Sequence, residues 1–279
     1  MIDSWDGQTY TRVYALHGGP VSVGVQQEGP LEAPILRVNA SATRLPSETQ
    51  SAITALLERV FGLRINLNEF YELADSDVRL RPLARQFRGL KPPRFPTVFE
   101  AIVNAIACQM LSITVGIHML NRLAETCGLT SPEPDEAQHA FPRPVDLAAV
   151  DQPTMNRLGF SGKKSHALNE LAQAIANGGL DLERLVLLDD ASVVARLSEL
   201  RGVSRWSSEY ALLRGLGRLG VFPGDDVGAR NNLAGWLGLP GPLDYAGVQS
   251  AVAPWQPYAG LVYFHLLLER LTAAGYVKP

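Results

Sequence analysis

The sequence predicts a mostly helical protein with a small α/β domain at its N-terminus, and three observations carry that expectation. Apolar residues alternate with a period of two over residues 10–40, and from about residue 47 they recur three and four apart. A proline-rich bridge, Gly89-Leu90-Lys91-Pro92-Pro93-Arg94-Phe95-Pro96, then leads into a remainder that reads as almost wholly helical. The expected organisation is residues 1–88 as antiparallel sheet plus helices, and residues 89–279 as an all-α body.

Taken in order, Tyr10, Val13 and Ala15, then Val21, Val23 and Val25, mark two half-buried strands, with Gly18-Gly19-Pro20 as the turn between them. Ile35-Leu36-Arg37-Val38 supplies a third strand. Ile53, Leu56, Leu57 and Val60 lie on one helix face, and two short helices are expected near 67–74 and 76–87. Past the bridge, Thr97 and Glu100 fit a capping box, followed by the stripe Val98, Phe99, Ile102, Val103 and Ile106. The next helix opens near Ser112 and closes at Gly128, expected as a left-handed cap. Residues 129–146, with four prolines, read as a surface loop. Further helices are expected near 147–157, 163–177, 190–200, 204–219, 225–236 and 257–273. No internal repeat interrupts the series.

Composition narrows the function classes. With 25 Lys plus Arg against 28 Asp plus Glu, the net charge of −3 excludes a uniformly basic nucleic-acid coat but not a local basic face. Cys108 and Cys127 are too few for a disulfide scaffold, a four-cysteine zinc site or an iron–sulfur cluster. No run of 18 apolar residues suggests a membrane span, and the acidic start lacks a basic n-region and an apolar h-region. A cytoplasmic enzyme is the expectation.

Two motif matches fail on context. Gly215-x-Gly217-x-x-Gly220 fits a dinucleotide fingerprint literally, yet these glycines close a helix instead of opening one after a strand. Gly159-Phe160-Ser161-Gly162 lacks the last glycine of a nucleophile elbow. The histidines at 17, 118, 139, 166 and 265 show no metal-ligand spacing, and His265 reads as a satisfied core histidine.

The informative stretch is 190–231. Two helical patterns joined by Arg201-Gly202-Val203-Ser204 form an αα hairpin, whose free backbone N–H groups suit a phosphate. Between 196 and 218, Arg196, Arg201, Arg205, Arg214 and Arg218 stand against Glu199 and Glu209, a local charge of +3. Arg157, Lys163 and Lys164 add a second basic stretch. Together they suggest one phosphate-tracking face, against the plainer reading of solvated helix surface. Phe222-Pro223-Gly224-Asp225-Asp226 then precedes a new helix. An aspartate there is an N-cap, and the helix N-terminus keeps it ionised, able to support a developing cation or orient water.

The order of these pieces resembles the helix–hairpin–helix DNA glycosylases, most nearly their cluster-free 3-methyladenine DNA glycosylase II (alkylbase) branch. The residues carrying the resemblance are Arg88-Gly89-x-x-Pro92-x-x-Phe95, Phe99-Glu100-x-x-Val103-x-x-Ile106, Gln109-x-x-Ser112 and Gly159-x-x-x-Lys163-Lys164. Leu200-x-Gly202-Val203-x-x-Trp206-Ser207-Ser208-x-x-Ala211, Asp226 and Trp255-x-Pro257 complete the set.

The resemblance implies a fold without an iron–sulfur cluster, Asp226 as the catalytic aspartate and Asp225 as its neighbour. Trp206 stands where lyase-competent relatives carry a lysine, so no Schiff base forms and a monofunctional glycosylase is expected. Trp206 and Tyr210, four apart on a helix face, together with Tyr258, would enclose a flipped, cationic base by stacking and cation–π contact. Gln109 and Met110 match the gap-filling segment, with Met110 as the wedge. Arg201, Gly202, Val203, Ser204, Arg205, Lys163 and Lys164 would contact the DNA backbone. The carbonyls of Ser198, Leu200 and Val203 match a site for a structural Na⁺ or K⁺, and no other cofactor is implied. The partner is double-stranded DNA with an alkylated base, met by a monomer on the bacterial nucleoid. The sequence departs from the family at Ser204, at Ser207-Ser208 and at Ala259, so a catalytically inactive lesion-binding protein of the same fold is the alternative.

Overall fold

A computed structural model describes residues 1–17, 19–30, 33–41, 45–133 and 138–277. Gly18 of the expected turn, and residues 134–137 of the proline-rich loop, lie outside the described residues. The alternating segment is an antiparallel meander of order β1-β2-β3-β4: Asp3–Trp5, Thr9–Leu16, Gly19–Glu28 and Ile35–Ala40. Its register pairs Tyr10 with Val25, and Val25 with Val38. Val21, Val23 and Val25 share a buried face with Arg12 and Tyr14, while Val13 and Ser22, paired with each other, are buried on the opposite face, so the centre of the sheet is covered on both sides. Strand β1 was not anticipated because three residues are too short to show a period. Its Asp3 accepts a hydrogen bond from the buried Arg12 guanidinium at 3.0 Å.

The helices are α1 (Ser47–Val60), α2 (Asn68–Ser76), α3 (Leu80–Gln86), α4 (Val98–Cys108), α5 (Ile113–Cys127), α6 (Pro144–Ala148) and α7 (Gln152–Arg157). They continue with α8 (Gly162–Ala176), α9 (Asp190–Ser198), α10 (Arg205–Tyr210), α11 (Val227–Leu237), α12 (Tyr245–Val252) and α13 (Ala259–Ala273). The expected single helix over 147–157 is two, because Asp151 accepts from Thr154 N–H and starts a new helix. Ser112 caps α5 as expected, but Gly128 is not left-handed: its φ is −77°. Glycine is needed there for close approach, since a Cβ would lie 2.0 Å from the Ala140 carbonyl oxygen. No helix of the described residues is long and apolar enough to cross a membrane.

The chain divides into two compact units, and not at residue 88. One comprises residues 1–56, 103–182 and 200–202, with the sheet, α5, and α6 and α7 packed on α8. The other comprises residues 57–102, 183–199 and 203–279. The physical reason is its core. Phe70, Leu80, Leu83 and Phe87 of α2, α3 and their flank share a continuous apolar cluster with Phe222, Leu233, Trp255, Leu261 and Phe264. Burying each such side chain contributes roughly 1.5–3 kcal/mol, which outweighs sequence proximity to the sheet. His265 sits in this core with Nδ1 on the Leu261 carbonyl at 2.7 Å, but its Nε2 has no hydrogen-bond partner among the described residues, so it is only half satisfied there.

Candidate active site

In the second unit, α10 carries the two expected aromatic residues. Ser204 opens the helix, its Oγ accepting from Ser207 N–H at 3.3 Å with φ of −93°. Serine is therefore accommodated here as an N-cap without left-handed strain. Trp206 and Tyr210 stack on one face with centroids 5.5 Å apart and planes at 31°. Phe95, from the bridge, lies 6.0 Å from Tyr210. After Tyr210 the helix widens into a π-helical segment, Ala211–Leu216, an irregularity common at functional sites. Its end is closed by Gly217 at φ 78°, and the Gly215 carbonyl accepts from Arg59 and Arg94 at 2.9 and 2.6 Å. These glycines thus serve helix termination, as their context indicated.

Asp226 is the N-cap of α11, with Oδ1 accepting from Ala229 N–H at 2.9 Å. Its Oδ2 faces two side-chain donors, the Tyr263 hydroxyl at 3.2 Å and the Trp206 indole N–H at 3.4 Å. A carboxylate has about four lone-pair sites, so three described donors fix its plane and leave room for one more polar contact. Helix α10 and the aspartate are thereby joined directly. Tyr263 is the site residue that sequence reasoning missed. Its hydroxyl titrates well above the usual phenol range, chiefly from burial and then from the Asp226 charge, so it stays a donor.

Tyr258, expected as the third wall, is engaged elsewhere. Its ring packs edge-on against Phe70 at 5.9 Å and its hydroxyl donates to Glu69 at 2.5 Å. Five residues further along the chain, Tyr263 is an aromatic residue that meets Asp226 directly. Asp225 pairs with Arg205 at 2.7 Å, and the Arg205 guanidinium lies 3.7 Å over the Tyr245 ring.

The expected basic face is more internally engaged than charge counting suggested. Arg214 lies over the Phe95, Tyr210 and Phe264 rings at 4.9–5.8 Å. Arg218 donates to the Val186 and Leu188 carbonyls, both at 2.9 Å. In the first unit, Arg201 pairs with Glu170 at 2.8 Å. Exposed pairs of this kind are worth about 0–1 kcal/mol and exchange readily for a phosphate. Lys163 is exposed at the start of α8. Lys164 is not a free phosphate contact: its ammonium donates to the Ala107 and Gln109 carbonyls at 2.9 and 2.8 Å. That placement caps the C-terminal end of α4, where the helix dipole favours a cation.

Lys164 also braces the turn after α4. There Met110 has φ of 58° and a fully exposed side chain. Gln109 Nε2 donates to the Gly202 carbonyl at 2.9 Å, tying this turn to the hairpin. Gly202 has φ of 77°, and a Cβ there would lie 2.7 Å from the Ala167 Cβ, so the hairpin needs glycine on both counts. Among the described residues, no group of three or more His, Cys, Asp or Glu is arranged to hold a metal ion.

The family described as HhH-GPD superfamily base excision DNA repair protein matches residues 103–257. DNA-3-methyladenine glycosylase of Bacillus subtilis is 24% identical over 214 residues, covering 77% of this chain and 71% of that protein. DNA-3-methyladenine glycosylase 2 of Escherichia coli is 28% identical over 224 residues, covering 80% and 74%. Among solved structures, 3-methyladenine DNA-glycosylase from Archaeoglobus fulgidus superposes with a TM-score of 0.84 at 23% identity, over 95% of this chain and 88% of that one.

Proposed function

We propose, on the premise that this chain belongs to the HhH-GPD superfamily of base excision DNA repair proteins, that it is a DNA glycosylase releasing alkylated bases of the 3-methyladenine and 7-methylguanine class. The observation that carries the reading is Asp226, held by Ala229, Trp206 and Tyr263 beside the Trp206–Tyr210 ring pair. Names of the relatives support the same substrate class.

The target base, extruded from the stack, lies against electron-rich ring faces. The C1′–N bond breaks and its electron pair leaves with the base, neutralising the positive charge of an N3- or N7-alkylpurine. The sugar acquires oxocarbenium character, which the Asp226 carboxylate stabilises, and water adds at C1′ as one of its protons passes to that carboxylate and on to solvent. A unit charge pair about 4 Å apart at an effective dielectric near 20 is worth ~4 kcal/mol, about a thousandfold in rate. Trp206 offers no amine, so the product is an abasic site without strand cleavage.

Met110 is the wedge and Gln109 its neighbour. The hairpin Arg201–Arg205 and Lys163 track the phosphates of double-stranded DNA. The Ser198, Leu200 and Val203 carbonyls would be the oxygen donors for a structural Na⁺ or K⁺, a ligand type that hard cations take, and the bound ion would add positive charge beside the phosphates. The protein acts as a monomer in the cytoplasm. The test is release of free base from methylated duplex DNA: wild type active, Asp226→Asn reduced about a thousandfold, and no strand break without heat or alkali. Tight lesion binding with no release by wild type would favour a non-catalytic lesion binder.

A further inference from the structure

Glu209 is a buried carboxylate that the reaction above does not use. It lies on α10 between Trp206 and Tyr210 and is only 5% exposed. Burying an ionisable group costs several kcal/mol unless its partners compensate. Its partners point one way. Oε2 accepts from the Gly224 N–H at 3.0 Å, and Oε1 accepts from the Tyr245 hydroxyl at 2.6 Å. Gly224 stands two residues before Asp226, on the loop that delivers the carboxylate.

The contacts around this loop are closely fitted. A Cβ on Gly224 would lie 2.7 and 2.8 Å from Tyr245 ring carbons. The Tyr245 ring carries the Arg205 guanidinium on its face, and Arg205 pairs with Asp225. A closed circuit thus runs Glu209, Tyr245, Arg205, Asp225, Gly224 and back to Glu209, with Asp226 next along the chain.

We propose that Glu209 is a positioning residue: through the Gly224 N–H and the Tyr245 hydroxyl it clamps the aspartate-bearing loop to the base-pocket helix. This inference rests on the reading of Asp226 as the reactive carboxylate. The clamp works by hydrogen bonding and not by charge. Glutamine at 209 can satisfy the same partners, its carbonyl accepting from Gly224 N–H and its amide donating to the Tyr245 hydroxyl. Methionine, of similar volume, can satisfy neither.

The test combines single-turnover excision from methylated duplex, affinity for duplex with a tetrahydrofuran abasic analogue, and deuterium uptake over residues 222–228. For Glu209→Met the excision rate constant falls about tenfold or more, as expected for misplacing a reacting group by a fraction of an ångström. Affinity stays within about threefold and uptake rises, because of the groups proposed to hold the DNA only Arg205 adjoins the clamp, and it keeps its pair with Asp225. Glu209→Gln restores the rate to within about threefold and restores protection. Tyr245→Phe, which keeps the ring beneath Arg205, lowers the rate with affinity unchanged and stands in should Glu209→Met not fold. Wild-type rate and wild-type protection in Glu209→Met overturn the proposal. So does a Glu209→Gln variant as impaired as Glu209→Met, or a Tyr245→Phe variant identical to wild type in both readouts. Failure of wild type to release base overturns the glycosylase reading alone, and the exchange data then decide the clamp.

Discussion

Replacing Met110 with glycine is expected to separate stability from function. Met110 is the one non-glycine among the described residues with a left-handed φ, at 58°. That conformation costs an L-residue about 1–2 kcal/mol. The side chain is fully exposed, with a relative accessibility of 101%, so removing it forfeits no apolar burial. Glycine relieves the strain but adds about 0.5–1 kcal/mol of unfolded-state entropy to be lost on folding. The net expectation is Met110→Gly at equal stability, or up to about 1.5 kcal/mol more stable. Excision behaves oppositely. Extruding a paired base costs a few kcal/mol, so loss of the wedge should slow single-turnover release from duplex about 10- to 100-fold. Release from the same lesion in single-stranded DNA, which needs no unpairing, should change much less. Urea denaturation and the paired excision assay read the two effects. A variant destabilised by more than about 1 kcal/mol refutes the strain argument, and equal slowing on both substrates refutes the wedge.

Gly202→Ala combines a left-handed φ with a 2.7 Å clash against Ala167, so it should destabilise the protein by about 2–4 kcal/mol and weaken binding to undamaged duplex; unchanged urea midpoint and affinity would count against the hairpin geometry. Lys164→Met removes two charge-assisted hydrogen bonds at the end of α4 and should cost about 2 kcal/mol, read by the same denaturation. For Glu209, burial raises the folded carboxyl above its ordinary 4.5, more than Tyr245 and Gly224 lower it. The folded state therefore binds more protons than the unfolded one between 4.5 and that raised value, and stability falls as pH rises through this window. Glu209→Gln should flatten that slope and match or exceed wild-type stability at neutral pH, checked by urea midpoints against pH.

Much of the site was legible because local rules and chemistry coincided there. Phe-Pro-Gly-Asp-Asp ahead of a helix marks Asp226 as a cap whatever else it does, and Trp206 and Tyr210 declare a shared face by their spacing. Tyr263 was invisible for the opposite reason. It lies in the run from Ala259 to Leu266, buried throughout, so no periodicity distinguishes the face that meets Asp226. Chain position alone likewise does not show that Glu69 and Phe70 hold Tyr258. Counting cations similarly assigned Lys164 to DNA, since a sequence does not show which helix end lies within reach of an ammonium. The unit boundary failed likewise: α2 and α3 follow the sheet in sequence, yet their apolar faces match segments more than a hundred residues away.

The Gln109 side chain on the Gly202 carbonyl bears on how such a protein searches. If the hairpin meets phosphates and Met110 meets the bases, as proposed, this hydrogen bond would couple a push on the backbone to the stacked bases. Every encounter with undamaged duplex would then be a mechanical interrogation, in which sound pairs resist the probe and weakened ones yield. Discrimination would begin in the stiffness of the double helix, before any base reaches the aromatic pocket.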